Sequence, residues 1–320
     1  MTMKTIIEPV STDKLVEELS ENKFFRKTNN GGNEIYIITA HNSPNIMREI
    51  GRLREISFRD SGGGTGLDCD IDEFDTREKN FFNQLIVWNP TDKAIIGGYR
   101  FLLCDRMKPK VGQKVDTPTS ELFDYSDQFI EDFLPYTIEL GRSFVRPDYQ
   151  PSKNLAKGIY SLDNLWDGLA SLSDLYPKAK YFFGKVTMYA QLDRGVRDRI
   201  LYFMNMYFPD KDKLVYPKPG LDSPIQTPSA EIESMFMSDN YREDFKTLVK
   251  YAREHSTAVP PLVNAYMSLS PSMRTFGTAR NAPFGGVEET GILVTIADLY
   301  DEKLERHLTY DKTERPEHLK

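Results

Sequence analysis

Two hydrophobic periods alternate along this chain. Over 43–58, "SPNIMREIGRLREISF", Ile46, Met47, Ile50, Leu53 and Ile56 recur at helical spacing behind a Ser-Pro start, which predicts an amphipathic helix. "EIYIITA" (34–40) alternates every second residue, as a half-buried strand does. "NQLIVWNPTDKAIIGGYRFLL" (83–103) reads as a hairpin turning at Asn-Pro-Thr-Asp-Lys, and "PYTIELGRSFV" (135–145) as a further strand. The spacing then predicts one long helix over 155–176, a strand over 180–189 and a helix over 194–208. Beyond the Pro-rich break "YPKPGLDSPIQTPS" (216–229) come a helix near 241–254 and the strand-like runs "NAYMSL" and "GILVTIADLY". At the other end, Leu15, Val16 and Leu19 predict a helical arm reaching to about Lys27.

This order is that of a mixed α/β (α+β) fold whose sheet begins antiparallel, which does not suit a doubly wound dinucleotide fold. The expected organisation is a helical arm (1–33), a core (34–215), a C-terminal extension packed on it (230–310) and a charged tail (311–320).

The length of 320 residues and 39% hydrophobic content allow one large or two ordinary domains. A net charge of −7 argues against a dedicated nucleic-acid binder. The two cysteines, Cys69 and Cys104, cannot build a disulfide framework, so a reducing cytoplasm is expected. The N-terminus meets acids before any apolar run, unlike a signal peptide, and no apolar stretch is long enough to span a bilayer. Peripheral contact with the inner membrane stays open.

Candidate chemistry gathers at "DCDIDEFD" (68–75), five carboxylates in eight positions shortly after "SGGGTG". Like charges this close need a cation. Calcium fails: Asp68, Asp70 and Asp72 match an EF-hand loop, but Glu73 stands where glycine is required and Lys79 where glutamate is. Zinc fails because His41, His255, His307 and His318 stand alone, so no metal is expected. "GGGTG" lacks the Lys-Ser/Thr of a phosphate-binding loop and reads as flexible. The remaining cations are arginines: Arg54 on the first amphipathic helix, Arg100 in "GGYR" and Arg142 in "ELGRSF". In a regular strand Glu139 and Arg142 would point to opposite faces; a bulge at Gly141 would bring them to one face and leave backbone N–H groups unpaired. Such donors suit a thioester carbonyl or a pantetheine amide.

The ordered series "LREISF", "DIDEFD", "GYRFLL" and "ELGRSFV" resembles the acyl-homoserine-lactone synthases and their relatives, the ornithine-lipid and glycine-lipid N-acyltransferases, some labelled hemolysins, all of the GNAT acyltransferase fold. "GRS" after Glu139, the helix wording "LDNLWDGLA" and the long stretch from "PPLVNAYMSLSP" to "VEETGILVTIADLY" resemble the aminolipid branch, most closely its glycine-lipid enzymes in Bacteroidetes. The resemblance covers about residues 34–310. One departure is the missing pyrophosphate loop after Val145, where "RPDYQPSKNLAKG" stands; this favours an acyl carrier protein over coenzyme A as donor.

The resemblance implies transfer of a long-chain, 3-hydroxy acyl group from a carrier-protein thioester to the amine of an amino acid, glycine first and ornithine second, with no resident cofactor. Glu139 is the candidate base, directly or through water, and Arg142 would orient it or bind the acceptor carboxylate. Arg54, Asp70, Asp72, Asp75, Arg100 and Ser143 would frame the acceptor, and Phe144, Val145 and Arg146 would meet the acyl donor. Arg100, Arg106, Lys108, Lys110 and Lys114 form a basic run on which an acidic carrier protein is expected to dock. The aromatic runs "YFFGKVTMY" and "ILYFMNMYF" would line an acyl tunnel or simply fill core. Rival readings are a lactone synthase or an acyl-coenzyme-A-dependent N-acyltransferase. A lipid O-acyltransferase is excluded because no histidine is followed by Asp at the required spacing, and a lytic protein lacks support because no pore-forming amphipathic pattern is present.

Overall fold

The computed structural model describes residues 3–107, 109 and 112–310. In chain order the elements are α1 (Thr12–Glu18), β1 (Phe24–Lys27), β2 (Glu34–Ile38), α2 (Pro44–Asp60), α3 (Glu73–Thr76), β3 (Asn83–Asn89), β4 (Ala94–Leu103), β5 (Phe123–Tyr125) and β6 (Thr137–Val145). There follow α4 (Leu155–Gly158), α5 (Ser161–Leu175), β7 (Tyr181–Met188), α6 (Arg194–Tyr207), β8 (Val215–Pro217), α7 (Ser229–Glu233), α8 (Tyr241–Glu254), α9 (Pro261–Met267), β9 (Arg274–Asn281), β10 (Val287–Thr295) and α10 (Asp301–Leu308). The chain forms two compact units interleaved in sequence. One holds the residues up to Met107, Tyr136–Lys180 and those from Asp301 on; the other holds those up to Pro135 and Tyr181–Tyr300.

The first unit is built on five antiparallel strands in the order β1-β2-β3-β4-β6. Because side chains alternate, Leu85 and Gln84 of β3 face opposite ways. Helix α5 lies on the Leu85 side, where Gly168 lets it close in: a Cβ there would stand 2.6 Å from Leu85. Helix α2 covers the other side, its buried stripe of Ile46, Met47, Ile50 and Leu53 following the predicted spacing. Helix α10 is clasped to β1 and α5: Arg26 donates to the His307 carbonyl (2.9 Å) and the Ser171 hydroxyl (2.8 Å), and His307 Nδ1 meets Asp167 at 2.8 Å.

In the second unit β7, β10 and β9 pair antiparallel in that order, and β5 pairs with β8. The two aromatic runs are core here: Phe183 stacks among Tyr125, Phe129 and Phe276, and Phe203 among Tyr207, Phe236, Tyr241 and Phe245.

Four sequence expectations need correction. The helical arm is only α1, because "FFRK" pairs with β2 as an edge strand. The long helix over 155–176 breaks between α4 and α5, where Gly158 lies so close to Pro151 that a Cβ would stand 2.4 Å from its nitrogen. "NAYMSL" is not a strand: Pro261 starts α9, and Val263, Tyr266 and Met267 are buried at helical spacing. β9 was not expected, since Gly277 (φ 81°) and a register shift against β10 interrupt its alternation. The predicted tail (311–320) lies outside the described residues.

Candidate active site

The site grows from one irregularity between β4 and β6. Gly98 pairs with Phe144 and Arg100 with Gly141, so Arg142 and Ser143 together face Tyr99: a β-bulge. Its left-handed residue is Arg142 (φ 50°). Gly141 has a different use: the Arg100 side chain passes over it, with Nε 3.5 Å from where a Cβ would be. Gly97 admits the partner strand, since a Cβ there would stand 2.4 Å from the Phe144 carbonyl oxygen. By register Glu139 (opposite Leu102) shares the face of Arg100, and the Arg142 guanidinium reaches the cluster on that same face. The bulge thus gathers Glu139 and Arg142 on one side, as the sequence predicts.

The acidic segment comes to this face because Gly51 on α2 lets it cross closely. Asp70 N–H donates to the Gly51 carbonyl (3.0 Å), and a Cβ on Gly51 would lie 2.5 Å from Cys69 Sγ. Asp72 then caps α3. Its Oδ1 accepts from Asp75 N–H (3.2 Å), and Asp75 Oδ2 accepts from Asp72 N–H (3.4 Å), a reciprocal capping box.

All three predicted arginines answer these acids. Arg54 donates to Asp75 at 3.0 Å and to the Asp70 carbonyl at 3.4 Å. Arg100 Nη1 bridges both oxygens of Asp72 at 2.8 Å and lies 3.3 Å from Asp75. Arg142 Nε pairs with Asp70 at 2.9 Å, and its Nη2 stands 3.8 Å from Asp72. Three guanidinium groups thus balance three carboxylates, and no metal is needed to hold them together. Among the described residues no three His, Cys, Asp or Glu side chains converge as a metal site.

Burial separates the cluster into an interior and an edge. The side chains of Arg54 and Asp75 are 0% exposed, whereas Asp72 is 29% and Arg142 18% exposed. Burial alone would raise the Asp75 carboxyl, but the guanidinium groups of Arg54 and Arg100 outweigh it and hold its pKa at about 2. Burial likewise works against the Arg100 charge, yet Asp75 and Asp72 keep its pKa above the ordinary arginine value. Burial pushes the Cys69 thiol up to about 11 and Cys104 well above its usual value, so neither offers a thiolate nucleophile at neutral pH.

The other predicted residues lie as follows. Glu139 is buried in β6, and Ser143 is half-buried with no polar contact to the cluster. Phe144 is buried and Val145 pairs with Gly97, its carbonyl accepting from Gln150 at 3.0 Å. Arg146 turns away to Asp148 (2.8 Å). The basic run divides: Arg100 is buried in the cluster and presents no docking face, Arg106 and Lys114 are exposed, and Lys108 and Lys110 lie outside the described residues.

Two residues escaped sequence reasoning. Gln84 accepts from Arg54 at 2.5 Å and donates to Asp75 at 2.9 Å, locking that pair; a polar residue within the apolar run "NQLIVW" was its only signal. Glu55 fixes the glycine-rich loop, accepting from Thr65 N–H (3.1 Å), the Thr65 hydroxyl (2.8 Å) and Gly66 N–H (2.7 Å). That loop is therefore anchored rather than free.

Comparison with known proteins agrees with this geometry. Residues 53–158, which carry the cluster and the bulge, match the acetyltransferase (GNAT) domain model. The chain is 50% identical over 318 residues to a glycine N(alpha)-acyltransferase of Phocaeicola vulgatus, covering 99% of this chain and 97% of that one. It is also 50% identical to a glycine N(alpha)-acyltransferase of Bacteroides thetaiotaomicron, covering 99% of this chain and 94% of the relative. No solved structure matches. With the fold and the near full-length similarity in agreement, the chain belongs to the GNAT N-acyltransferase family and is an N-acyltransferase.

Proposed function

We propose that this enzyme transfers a long-chain, 3-hydroxy acyl group from acyl carrier protein to the α-amine of glycine, for aminolipid synthesis. The observation that carries the acceptor is the 50% identity, over nearly the whole chain, to two glycine N(alpha)-acyltransferases. The missing pyrophosphate loop after Val145 favours a carrier-protein donor over coenzyme A. No resident cofactor takes part, because the acyl group arrives already activated as a thioester.

The amine attacks the thioester carbon, the C–S bond breaks, and an amide and a free thiol result. An ammonium has no lone pair, and the α-amino group of a peptide titrates near 7.7–8.0, so a base speeds the attack. Glu139 takes that proton, directly or through water, and is worth roughly 10²–10⁴ in rate. Its buried position on the cluster's face supports the role. Asp72 and Arg142, the cluster's exposed edge, receive the acceptor: Asp72 draws in the ammonium and Arg142 the carboxylate. Asp70, Asp75, Arg54 and Arg100 hold that edge in place. The bulge at Arg142–Ser143 interrupts the ladder, and N–H groups from Ser143 to Val145 stabilise the oxyanion, roughly 10²–10³ per donor.

The test is mass spectrometry of lipids from a bacterial host lacking aminolipids and expressing this chain. Acylated glycine is the expected product, acylated ornithine would move the acceptor assignment, and no acylated amino acid would overturn the proposal. Among the described residues no helix is long and apolar enough to cross a membrane.

A further inference from the structure

Helix α2 holds the acidic segment at two places. Arg54 takes it from within the ion-pair cluster. Glu55, turned about 100° around the helix, and Arg59, one turn further on, take the chain just ahead of it. The Glu55 carboxylate is 0% exposed, and Arg59 Nε donates to it at 2.7 Å. Arg59 Nη1 donates to the Lys4 carbonyl at 2.8 Å, and its Nη2 to the Leu67 carbonyl. The three nitrogens of one guanidinium thus tie together α2, the N-terminal segment and the end of the glycine-rich loop.

The N-terminal segment completes the grip. Lys4 N–H donates to the Gly66 carbonyl (2.9 Å) and Ile7 N–H to the Asp68 carbonyl (3.1 Å), so residues 4–7 run beside 66–68. Val10 N–H donates to the buried Glu49 of α2 at 3.0 Å. Glu18 then caps the start of α2, accepting from Asn45 N–H (3.0 Å) and Ile46 N–H (2.8 Å). Residues 4–10 are all exposed or half-buried, so polar contacts rather than core packing hold them. At Gly64 (φ 99°) a Cβ would stand 3.2 Å from Glu55 Oε1, and its absence lets the loop close on the carboxylate.

This second grip matters where the cluster changes partners. Asp70 pairs with Arg142 at 2.9 Å. An acceptor carboxylate that takes Arg142 competes with that bond, and the acidic segment then keeps its place through Arg54, Gly51 and the contacts that hold 66–68. Given the acceptor role proposed above for Asp72 and Arg142, on which this rests, we infer that Arg59 and Glu55 are positioning residues for the amino acceptor. With the N-terminal segment they keep Asp70 and Asp72 in register while Arg142 turns from Asp70 to the acceptor.

The test is steady-state kinetics with glycine and an acyl donor on the full chain and its variants. Arg59→Met and Glu55→Gln should each raise the KM for glycine at least about tenfold, with kcat and the donor KM changed less than about twofold. Lysine keeps the charge beside Glu55 but cannot span the Lys4 and Leu67 carbonyls as a guanidinium does. Arg59→Lys should therefore restore the melting temperature and leave the glycine KM raised. Arg306→Met, which breaks a 2.5 Å pair with Asp163 on the opposite side of the sheet, should move neither KM. Hydrogen exchange supplies a readout without acyl transfer. Saturating glycine should slow exchange of the amides of residues 64–68 in the wild type and protect them less in Arg59→Met, as linkage requires. If Arg59→Met does not fold, Arg59→Lys and Glu55→Gln carry the same comparison. The inference is overturned if the glycine KM stays within about twofold of wild type, if the donor KM rises instead, if Arg59→Lys restores KM together with melting temperature, or if glycine leaves the exchange unchanged. A wild type that acylates glycine while its KM ignores Arg59 and Glu55 sinks this inference alone. A wild type that acylates no glycine sinks the acceptor reading and the inference with it.

Discussion

Arg54 and Asp75 form an ion pair at 3.0 Å in which both side chains are sealed from water. A buried pair of this kind adds little net stability compared with apolar packing, but breaking it leaves an uncompensated charge. Arg54→Met is therefore expected to destabilise the fold by roughly 3–5 kcal/mol in urea titration, towards the lower figure because Arg100 and Gln84 still contact Asp75. Removing both charges in Arg54→Met/Asp75→Leu should recover part of that loss. A double variant worse than the sum of the singles would deny the coupling.

The same pair makes stability depend on acid. In the folded chain the Asp75 carboxyl is held at about 2 against an ordinary 3.8, because Arg54 and Arg100 outweigh the effect of burial. A depressed folded pKa means that the unfolded chain binds the proton first. The contribution is fully present above about pH 4 and fades as pH falls towards 2, on the order of 2 kcal/mol in all. In wild type the unfolding free energy should fall across that window. Asp75→Asn should be less stable at neutral pH and show a shallower acid slope. An unchanged slope would mean that other carboxylates govern acid unfolding.

The ion-pair cluster was legible in the sequence because charge arithmetic constrained it: five acids in eight positions demanded cations, and Arg54, Arg100 and Arg142 lay on elements whose periodicity was plain. Burial was not legible. Nothing in "DIDEFD" says that Asp75 is sealed while Asp72 keeps an exposed edge, since that depends on how α2 crosses at Gly51. Gly141 signalled the bulge, but that Arg142 rather than a glycine takes the left-handed conformation was not legible. Local patterns also failed where tertiary pairing decides, as at β1, whose four residues carry too little periodicity to be read alone.

Arg142 combines backbone strain with an ion pair, and the two can be separated. A non-glycine residue at φ 50° costs about 1 kcal/mol relative to glycine. Arg142→Ala and Arg142→Gly both remove the guanidinium from Asp70, but only the glycine variant relieves the strain. Thermal or chemical unfolding should find Arg142→Gly more stable than Arg142→Ala by about 1 kcal/mol, with acyl transfer lowered in both. Equal stabilities would mean that the left-handed conformation is not kept once the side chain is gone.

Asp72 is the carboxylate the cluster leaves partly open. Asp72→Asn keeps the shape and an α3 cap while removing the charge proposed above to draw in the ammonium. The expected result is a KM for the amino acceptor raised roughly tenfold or more, with the KM for the acyl donor little changed, as loss of one charge-assisted hydrogen bond predicts. If the donor KM rises instead, Asp72 faces the thioester side.

Glu139 is the sharpest case, because a base and a structural brace predict different kinetics. Glu139→Gln preserves size and hydrogen-bonding capacity and removes only basicity. As a base, Glu139 accelerates the step most where the acceptor is still an ammonium. The variant's turnover should fall roughly 10²–10⁴ near neutral pH and recover as pH rises, when the free amine no longer needs help. Binding of both substrates and the melting temperature should stay close to wild type. A brace would give the opposite pattern: a lowered melting temperature, a pH profile parallel to wild type and a rate loss that rising pH does not repair. Turnover near wild type across the pH range would leave the deprotonation of the acceptor amine to solvent.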